Sequence, residues 1–165
     1  MSQVPFLKKD ISKVVILRGI SGSGKSTFAL EKEREGYKVI SRDRIRLELL
    51  GNKEELKRYF ASGLDFQLEN YVTKIELKRL AQYLSKGLNI VIDNTNLKKK
   101  YIQDYIDVIA SFQIPRENVT LKTLQCSLED AIERDSKRET VVGEEVIRKQ
   151  WSNFLSAGFS LDSFF

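Results

Sequence analysis

Short apolar runs alternate along the chain with longer segments in which apolar residues recur every three or four positions. Four of the apolar runs predict β-strands, over residues 14–18, 37–41, 88–93 and 119–124, because β-branched and other apolar residues fill these runs almost continuously. The segments between and after them predict helices over residues 25–35, 42–50, 64–86, 98–112 and 144–155, with a further helix that starts after Ser127. Gly36 and Gly87 favour the termination of two of these helices.

The alternation of strands and helices predicts an α/β fold with a parallel sheet, because parallel strands need crossover helices to connect them. We expect about four to five strands with helices on both faces, and a ligand crevice at the carboxyl ends of the strands. The sequence has no internal repeat and no linker-like segment, which predicts a single domain over residues 1–165 with a core at about 13–155. Residues 1–12 are expected to be flexible, and the apolar tail at 156–165 to dock on its own domain or on a neighbouring subunit of a homo-oligomer.

The composition of the 165-residue chain excludes several classes of chemistry. There is no histidine and a single cysteine, Cys126, so histidine acid–base catalysis, an intramolecular disulfide and a cysteine-rich zinc site are excluded. No apolar run approaches the ~20 residues of a membrane span and no leader opens the chain, so we expect a cytoplasmic protein without a membrane partner. The 28 lysines and arginines exceed the 23 acidic residues and bring the formal charge to +5, which favours polyanionic partners without identifying one.

A phosphate-binding motif follows the first predicted strand directly. Residues 19–26, Gly-Ile-Ser-Gly-Ser-Gly-Lys-Ser, match the P-loop pattern G-x-x-x-x-G-K-S/T between a strand and a helix. The glycines let backbone N–H groups turn onto phosphate oxygens, and the positive end of the following helix adds to the attraction. We therefore expect ATP binding with Mg²⁺, with Lys25 reaching the β- and γ-phosphates and the Ser26 hydroxyl holding the metal. The residues expected to contact the nucleotide here are Gly22, Ser23, Gly24, Lys25, Ser26 and Thr27.

Charged residues follow the second predicted strand, at the edge where the ligand crevice should lie. Asp43 and Arg46 stand three residues apart in Ser-Arg-Asp-Arg-Ile-Arg at 41–46 and would share one face of a helix. A carboxylate there can accept the proton of an attacking hydroxyl while the neighbouring arginine grips an acceptor phosphate. The same pattern is equally typical of a solvated helix start with an acidic residue near its positive end.

Two further groups of polar residues point to the same crevice. The third predicted strand ends in Asp93 and is followed by Asn94. A carboxylate there can hold Mg²⁺ through water or orient an acceptor hydroxyl, although Asp-Asn-Thr-Asn also favours a turn. Arg134 and Arg138 lie four residues apart on one predicted helix face. They can fold over ATP as a lid and supply positive charge to the transferring phosphoryl group. The alternative is a surface helix in which residues 133 and 137 pair.

In their order along the chain, the motifs at residues 19–27, 41–46, 93–97 and 134–138 resemble those of polynucleotide 5′-hydroxyl kinases, such as the kinase domain of phage and bacterial end-repair enzymes. The resemblance spans about residues 13–155 and implies a P-loop kinase fold. It implies that Lys25 and Ser26 hold ATP and Mg²⁺, that Asp43 is the general base on the 5′-hydroxyl, and that Arg46 holds the nearest acceptor phosphate. It also implies that Arg138, with Arg134 behind it, is the lid cation, and that either Asp93 or Asn94 faces the acceptor.

Several members of that family also carry a phosphatase module with an Asp-x-Asp-Gly-Thr motif, which is missing from this sequence. The resemblance therefore implies phosphorylation of the 5′ ends of DNA or RNA in nucleic-acid end repair, without removal of 3′ phosphates. Two other functions stay open at this point: a small-molecule kinase of the same fold, and a nucleotide-binding module without transfer activity. A polynucleotide acceptor predicts an affinity that falls steeply with salt concentration, whereas a small neutral acceptor does not.

Overall fold

The computed structural model describes residues 11–139, 141–156 and 160–164. Residues 1–10, most of the segment expected to be flexible, lie outside the described residues. Four parallel strands form one sheet in the order β2-β3-β1-β4. These strands are β1 (Val14–Arg18), β2 (Lys38–Ile40), β3 (Ile90–Ile92) and β4 (Val119–Thr123). The predicted α/β fold with a parallel sheet is confirmed, and β2 and β3 are shorter than predicted.

Seven α-helices and two turns of 3₁₀ helix, Arg116–Asn118 and Leu161–Phe164, connect or flank these strands in the described part of the chain. The α-helices are α1 (Lys25–Arg34), α2 (Arg42–Leu50), α3 (Lys53–Ser62), α4 (Phe66–Ser85), α5 (Lys99–Ser111), α6 (Leu128–Ser136) and α7 (Glu144–Ser156). Side-chain caps set several of their starts. Ser127, for example, accepts a hydrogen bond from the backbone N–H of Asp130, as expected for the residue before α6.

The sequence pattern assigns no element to residues 53–63, whereas the structure forms α3 there. The Asn52 side chain caps this helix by accepting a hydrogen bond from the N–H of Glu55. Leu56 and Tyr59 are buried on one face with Phe60 half-buried beside them, and apart from Ala61 the other residues of the helix are polar. The apolar stripe is therefore short, which explains why periodicity alone does not reveal the helix.

The two faces of the sheet carry separate apolar clusters. On one face, residues such as Val14, Ile16 and Ile92 pack against α4 and α5. On the other, Leu17 and Val91 pack against Ala29 of α1. Because successive side chains of a strand point to opposite faces, β1, β2 and β3 each contribute to both clusters, whereas β4 contributes Val119 and Leu121 to the first.

The described part of the apolar tail, residues 160–164, packs against the rest of the chain. Leu161 and Phe164 are buried in the cluster that lies between the sheet and α4 and α5. Phe159 and Phe165, the other apolar residues of the tail, lie outside the described residues. Within the described ranges, no helix has the length and apolar character needed to cross a membrane.

Candidate functional site

The P-loop between β1 and α1 has the backbone geometry of a phosphate-binding loop. Gly22 and Gly24 have φ values of 83° and 99°, which residues with side chains rarely adopt. A Cβ atom on Gly22 would also lie 2.7 Å from the carbonyl oxygen of Ala131 in α6, so only glycine fits there. Because α1 begins at Lys25, its free N–H groups and its positive end are available to an anion held by the loop.

Lys25 folds back on the P-loop. The residue is 8% exposed, and its Nζ atom donates hydrogen bonds to the carbonyl oxygen of Ile20 at 2.7 Å and to Ser23 Oγ at 3.4 Å. Burial lowers the pKa of Lys25 to about 8, opposed by the charges of Asp93 and Asp43 and assisted by that of Arg138. These side chains, which come from four separate parts of the sequence, therefore lie within electrostatic reach of one another.

Asp93 and Ser26 adjoin at the end of β3. Burial raises the pKa of Asp93, while the charge of Lys25 and a hydrogen bond from Ser26 lower it. A hydroxyl and a carboxylate side by side on the phosphate loop are the oxygen ligands that Mg²⁺ prefers, directly or through water. The residues present at this point therefore fit a magnesium ion.

Asp43 and Arg46 contact each other at the start of α2. Asp43 is half exposed, and its Oδ1 atom accepts a hydrogen bond of 2.7 Å from Arg46 Nη1. The rest of the Arg46 guanidinium is held by Glu69 of α4, which accepts from Nε at 3.0 Å and from Nη2. Tyr59 and Arg42 also donate to the Glu69 carboxylate, at 2.7 and 3.1 Å. Arg46 thus has a fixed orientation, with one edge on Glu69 and the other beside Asp43.

The Glu69 carboxylate is charged in this arrangement. Burial would raise the pKa of Glu69, but the hydrogen bond and charge of Arg46, together with hydrogen bonds from Tyr59 and Arg42, lower it to about 2. Burial likewise lowers the pKa of Arg46, and the bond to Glu69 and the charges of Asp43 and Glu69 raise it above its ordinary value. The pair therefore stays ionised at neutral pH.

Asn94 lies inside the fold as the centre of a second polar network. Its Oδ1 atom accepts from the backbone N–H of Arg42 at 2.9 Å, and its Nδ2 atom donates to Glu76 Oε1 at 2.6 Å and to the Tyr105 hydroxyl at 2.9 Å. Arg42 Nη1 donates to Glu76 Oε2 at 2.9 Å and to Thr73 Oγ1 at 2.8 Å. In this structure the carboxamide of Asn94, one of the two residues expected to face the acceptor, joins α2, α4 and α5.

The alternation of side chains along a strand explains why Asp93 and Asn94 point to opposite faces of the sheet. Val91 faces α1 and Ile92 faces α4 and α5, so the next residue, Asp93, returns to the α1 side where the P-loop lies. Asn94 then points back toward α4 and α5. Of the two, the structure places Asp93 in the crevice.

Sequence reasoning missed Glu69 and Glu76, both on α4. For Glu76 a signal exists, because the residue stands four positions from both Val72 and Leu80 on the buried stripe of that helix. A carboxylate on an apolar stripe needs buried partners. Glu69 carries no comparable signal, since its partners lie on α2 and α3 and only the tertiary fold brings them together.

The two arginines expected to form a lid, Arg134 and Arg138, have different positions. Arg134 of α6 donates from Nη1 to the carbonyl oxygen of Gly22 at 3.0 Å, and so contacts the P-loop directly. Arg138 follows α6, is 39% exposed, and lies 3.9 Å from Asp135 Oδ1. The buried Asp135 carboxylate also accepts from the backbone N–H groups of residues 142 and 143 at 3.0 and 2.9 Å, which fixes the loop before α7. The surface ion pair expected as the alternative, between residues 133 and 137, is present as well.

A groove of about 320 Å³ lies beside the P-loop, on the side of α7. Cys126, Trp151 and Phe154 are among the residues that line it, with the two aromatic rings stacked at a centroid distance of 6.2 Å. The Arg18 guanidinium lies 4.7 Å from the centre of the Phe154 ring. The groove is joined to the P-loop by Cys126, whose Sγ atom is 3.9 Å from the carbonyl oxygen of Gly22.

Comparison with protein families and known proteins gives matches over most of the chain. A family model described as an AAA domain matches residues 14–157. A protein of Autographa californica nuclear polyhedrosis virus, named as a bifunctional polynucleotide kinase/RNA ligase, is 31% identical in an alignment over 158 residues that covers 92% of this chain and 22% of that protein. The chain therefore spans about a fifth of the length of this relative. The resemblance to polynucleotide kinases that the motifs predict is confirmed by this similarity.

Solved structures share the fold. A chain of the Pnkp1/Rnl/Hen1 RNA repair complex superposes with a TM-score of 0.70 at 22% identity, over 93% of this chain and 47% of that one. Shikimate kinase from Acinetobacter baumannii gives a TM-score of 0.56 at 15% identity, over 87% and 76% of the two chains. A gluconokinase from Sinorhizobium meliloti gives 0.55 at 18% identity, over 87% and 75%. The predicted P-loop kinase fold is confirmed.

Proposed function

We propose that this chain, which belongs to the AAA domain family, is an ATP-dependent polynucleotide 5′-hydroxyl kinase. It would transfer the γ-phosphoryl group of ATP to the 5′-OH end of DNA or RNA. The observation that carries this proposal is the convergence of Lys25, Asp93, Asp43 and Arg138 at one crevice, where their charges perturb one another. The named viral relative supports the choice of acceptor, because 92% of this chain aligns with it.

On the donor side, the P-loop amides and Lys25 would bind the β- and γ-phosphates of ATP. Lys25 would exchange its hydrogen bond to the carbonyl oxygen of Ile20 for phosphate oxygens. Ser26 would hold a magnesium ion together with Asp93 through water, and that ion would supply charge neutralisation at the phosphates. Arg138 would reach the transferring group from the lid, with Arg134 fixed on the loop beneath it.

On the acceptor side, Asp43 would accept the proton of the 5′-hydroxyl as its oxygen forms a bond to the γ-phosphorus. The bond between that phosphorus and the bridging oxygen of ADP breaks in the same step, and ADP leaves. Arg46 would bind the nearest phosphate of the acceptor chain while Glu69 keeps its guanidinium in place. Asp43 is half exposed and so is open to an incoming end.

The groove beside the P-loop would take the base of the donor nucleotide. Its stacked rings, Trp151 and Phe154, offer a flat apolar surface of the kind on which a base can rest. The groove adjoins the P-loop through the contact of Cys126 with Gly22, so a nucleotide with its phosphates on the loop would have its base on this side.

Transfer of labelled γ-phosphate from ATP with Mg²⁺ tests the proposal. We expect label on a 5′-hydroxyl oligonucleotide and none on its 5′-phosphorylated twin or on small hydroxyl metabolites. Asp43→Asn should lower kcat by ~10²–10⁴-fold, as the loss of a general base does. Asp107→Asn, on the exposed side of α5, is the matched control and should keep full turnover. Label on a metabolite alone would replace the proposal with a small-molecule kinase, and ATP binding without any label would replace it with a binding module.

A further inference from the structure

A second groove, of about 420 Å³, lies between α1 and the β4 edge of the sheet. Lys13, Lys32 and Lys122 line it, together with Phe28, Tyr37 and Glu117 among others. The pairing of β1 with β4 places Thr120 level with Val15 and Lys122 level with Leu17. The groove therefore runs alongside β1, on the same face of the sheet as α1.

The groove is positively charged. Its lining holds three lysines against one glutamate. Lys32 forms an ion pair of 3.1 Å with Glu35, which lies outside the lining. Lys13 and Lys122 have no carboxylate oxygen within 4.0 Å among the residues that the structure describes. Two ammonium groups are thus available to an anionic ligand at little desolvation cost.

Aromatic rings stand between the ammonium groups. The Phe28 ring has Lys122 Nζ 4.9 Å and Lys32 Nζ 5.7 Å from its centre. Lys32 Nζ also lies 5.1 Å from the centre of the Tyr37 ring. Rings that alternate with cations are the combination found in grooves that bind single-stranded nucleic acid, where phosphates meet the cations and bases stack on the rings.

One end of the groove lies near the P-loop at the β4 edge of the sheet, whereas Asp43 and Asp93 follow β2 and β3 on the other side of β1. Phe28 lies three residues after the P-loop residue Lys25, less than one helical turn, and Lys122 is level with the penultimate residue of β1. From there to Lys13 the groove follows the five residues of β1, a length of about 17 Å. A single strand, with a phosphate about every 3.4 Å, presents about five charges over that distance.

We propose that this groove binds a single-stranded segment of nucleic acid, through Lys13, Lys32 and Lys122 and the rings of Phe28 and Tyr37. The proposal rests on the proposed function for its choice of a nucleic-acid partner. Binding along the groove needs neither ATP nor transfer, so it can be measured by itself.

The test is the affinity of the full chain for fluorescently labelled single-stranded oligonucleotides of 4, 8 and 16 nucleotides, by anisotropy without ATP at several salt concentrations. Replacing the three groove lysines by glutamine should weaken binding of the 16-mer by about 10- to 100-fold at 0.1 M salt. The slope of log K against log salt should become shallower by about 1.4 if Lys13 and Lys122 contact phosphates, and by about 2 if Lys32 also does. The 4-mer, which has fewer phosphates than the about five that the groove can accommodate, should lose less affinity.

Two control variants separate the groove from net charge and from misfolding. Lys74→Gln, Lys78→Gln and Lys86→Gln together remove the same charge from exposed positions elsewhere and should leave the salt slope unchanged. Arginine in place of the three groove lysines keeps the charge and should keep the affinity.

Equal affinity of the glutamine variant and the wild type for the 16-mer would overturn the proposal. So would self-association of the wild type through this surface that oligonucleotide does not displace. Oligonucleotide binding through the groove in a protein that transfers no phosphate would refute the proposed function alone and leave this inference standing.

Discussion

Replacing Glu69 by glutamine removes the charge that holds Arg46 and Arg42 together while keeping the shape of the side chain. The carboxylate accepts from Arg46 Nε at 3.0 Å, from Arg42 Nη2 at 3.1 Å and from the Tyr59 hydroxyl at 2.7 Å. Glutamine offers one oxygen to these donors and turns an NH₂ group toward a guanidinium. Arg46 would keep Asp43, and Arg42 would keep Glu76, as carboxylate partners.

The magnitude follows from the pKa of the carboxyl group. A glutamate whose pKa falls from 4.5 to about 2 on folding contributes on the order of 3 kcal/mol to the free energy of unfolding at pH 7. Because the Glu69 side chain is 18% exposed and its arginines keep other partners, we expect glutamine to cost about 2 kcal/mol. The folded-state pKa lies below the unfolded one, so this contribution is complete above pH 4.5 and is lost as the pH falls through 2.

Urea unfolding of wild type and Glu69→Gln at pH 7 and pH 3 measures both quantities. The difference in unfolding free energy should be about 2 kcal/mol at pH 7 and about half of that at pH 3. Glu33→Gln is the matched control, because Glu33 also forms a two-point pair with an arginine, Arg44, but at an exposed site. Its cost should be about 0.5 kcal/mol. A Glu69→Gln cost below that of the control, or one that is equal at both pH values, would refute the reasoning.

Three further predictions concern the phosphate loop and the lid. Burial lowers the pKa of Lys25 to about 8 in the free protein, and bound phosphates favour the charged form of its side chain. ATP binding at pH 8.5 should therefore take up a proton, and the affinity for ATP should fall as the pH rises. Calorimetry in buffers of different ionisation enthalpy measures the proton uptake, and its absence would contradict the contact of Lys25 with the phosphates. Gly22→Ala should abolish ATP binding in a titration, because the new Cβ atom would lie 2.7 Å from the carbonyl oxygen of Ala131. Gly51→Ala is the control, since Gly51 has a similar φ but lies in open space. It should lower the free energy of unfolding by only about 1 kcal/mol and leave ATP binding intact. Asp135→Asn should lower the free energy of unfolding by about 1–3 kcal/mol and speed hydrogen exchange at the backbone amides of residues 142 and 143, which donate hydrogen bonds to this carboxylate. Unchanged exchange would show that other contacts hold the loop before α7.

Local signals in the sequence were sufficient for much of the fold. The bounds of α2 follow from Ser41, whose side chain caps the helix, and from Gly51, whose positive φ ends it. The strands and the P-loop follow in the same way, because strand periodicity and glycine spacing depend on neighbouring residues alone. The start of α4 was predicted two residues early, at 64, because the cap at Asp65 carries no apolar signal.

The contacts within the site required the tertiary structure. Asp43 and Arg46 are three residues apart on one helix, so the contact between them is a local consequence of the sequence. Glu69 lies 23 residues from Arg46, and Glu76 lies 34 residues from Arg42, so periodicity could not pair them. These pairs form because the packing of α2 against α4 buries both acidic residues where arginines can neutralise them.

The sequence by itself thus determined the α/β class, the phosphate loop and the charged residues at the strand ends, because short-range sterics and hydrogen bonding control each of them. The tertiary structure decided that Asp93 faces the P-loop and Asn94 the interior, that Glu69 orients Arg46, and that three lysines share a groove with two rings. Each of these depends on which faces of distant elements pack together, and the free energy of that packing is a property of the whole chain.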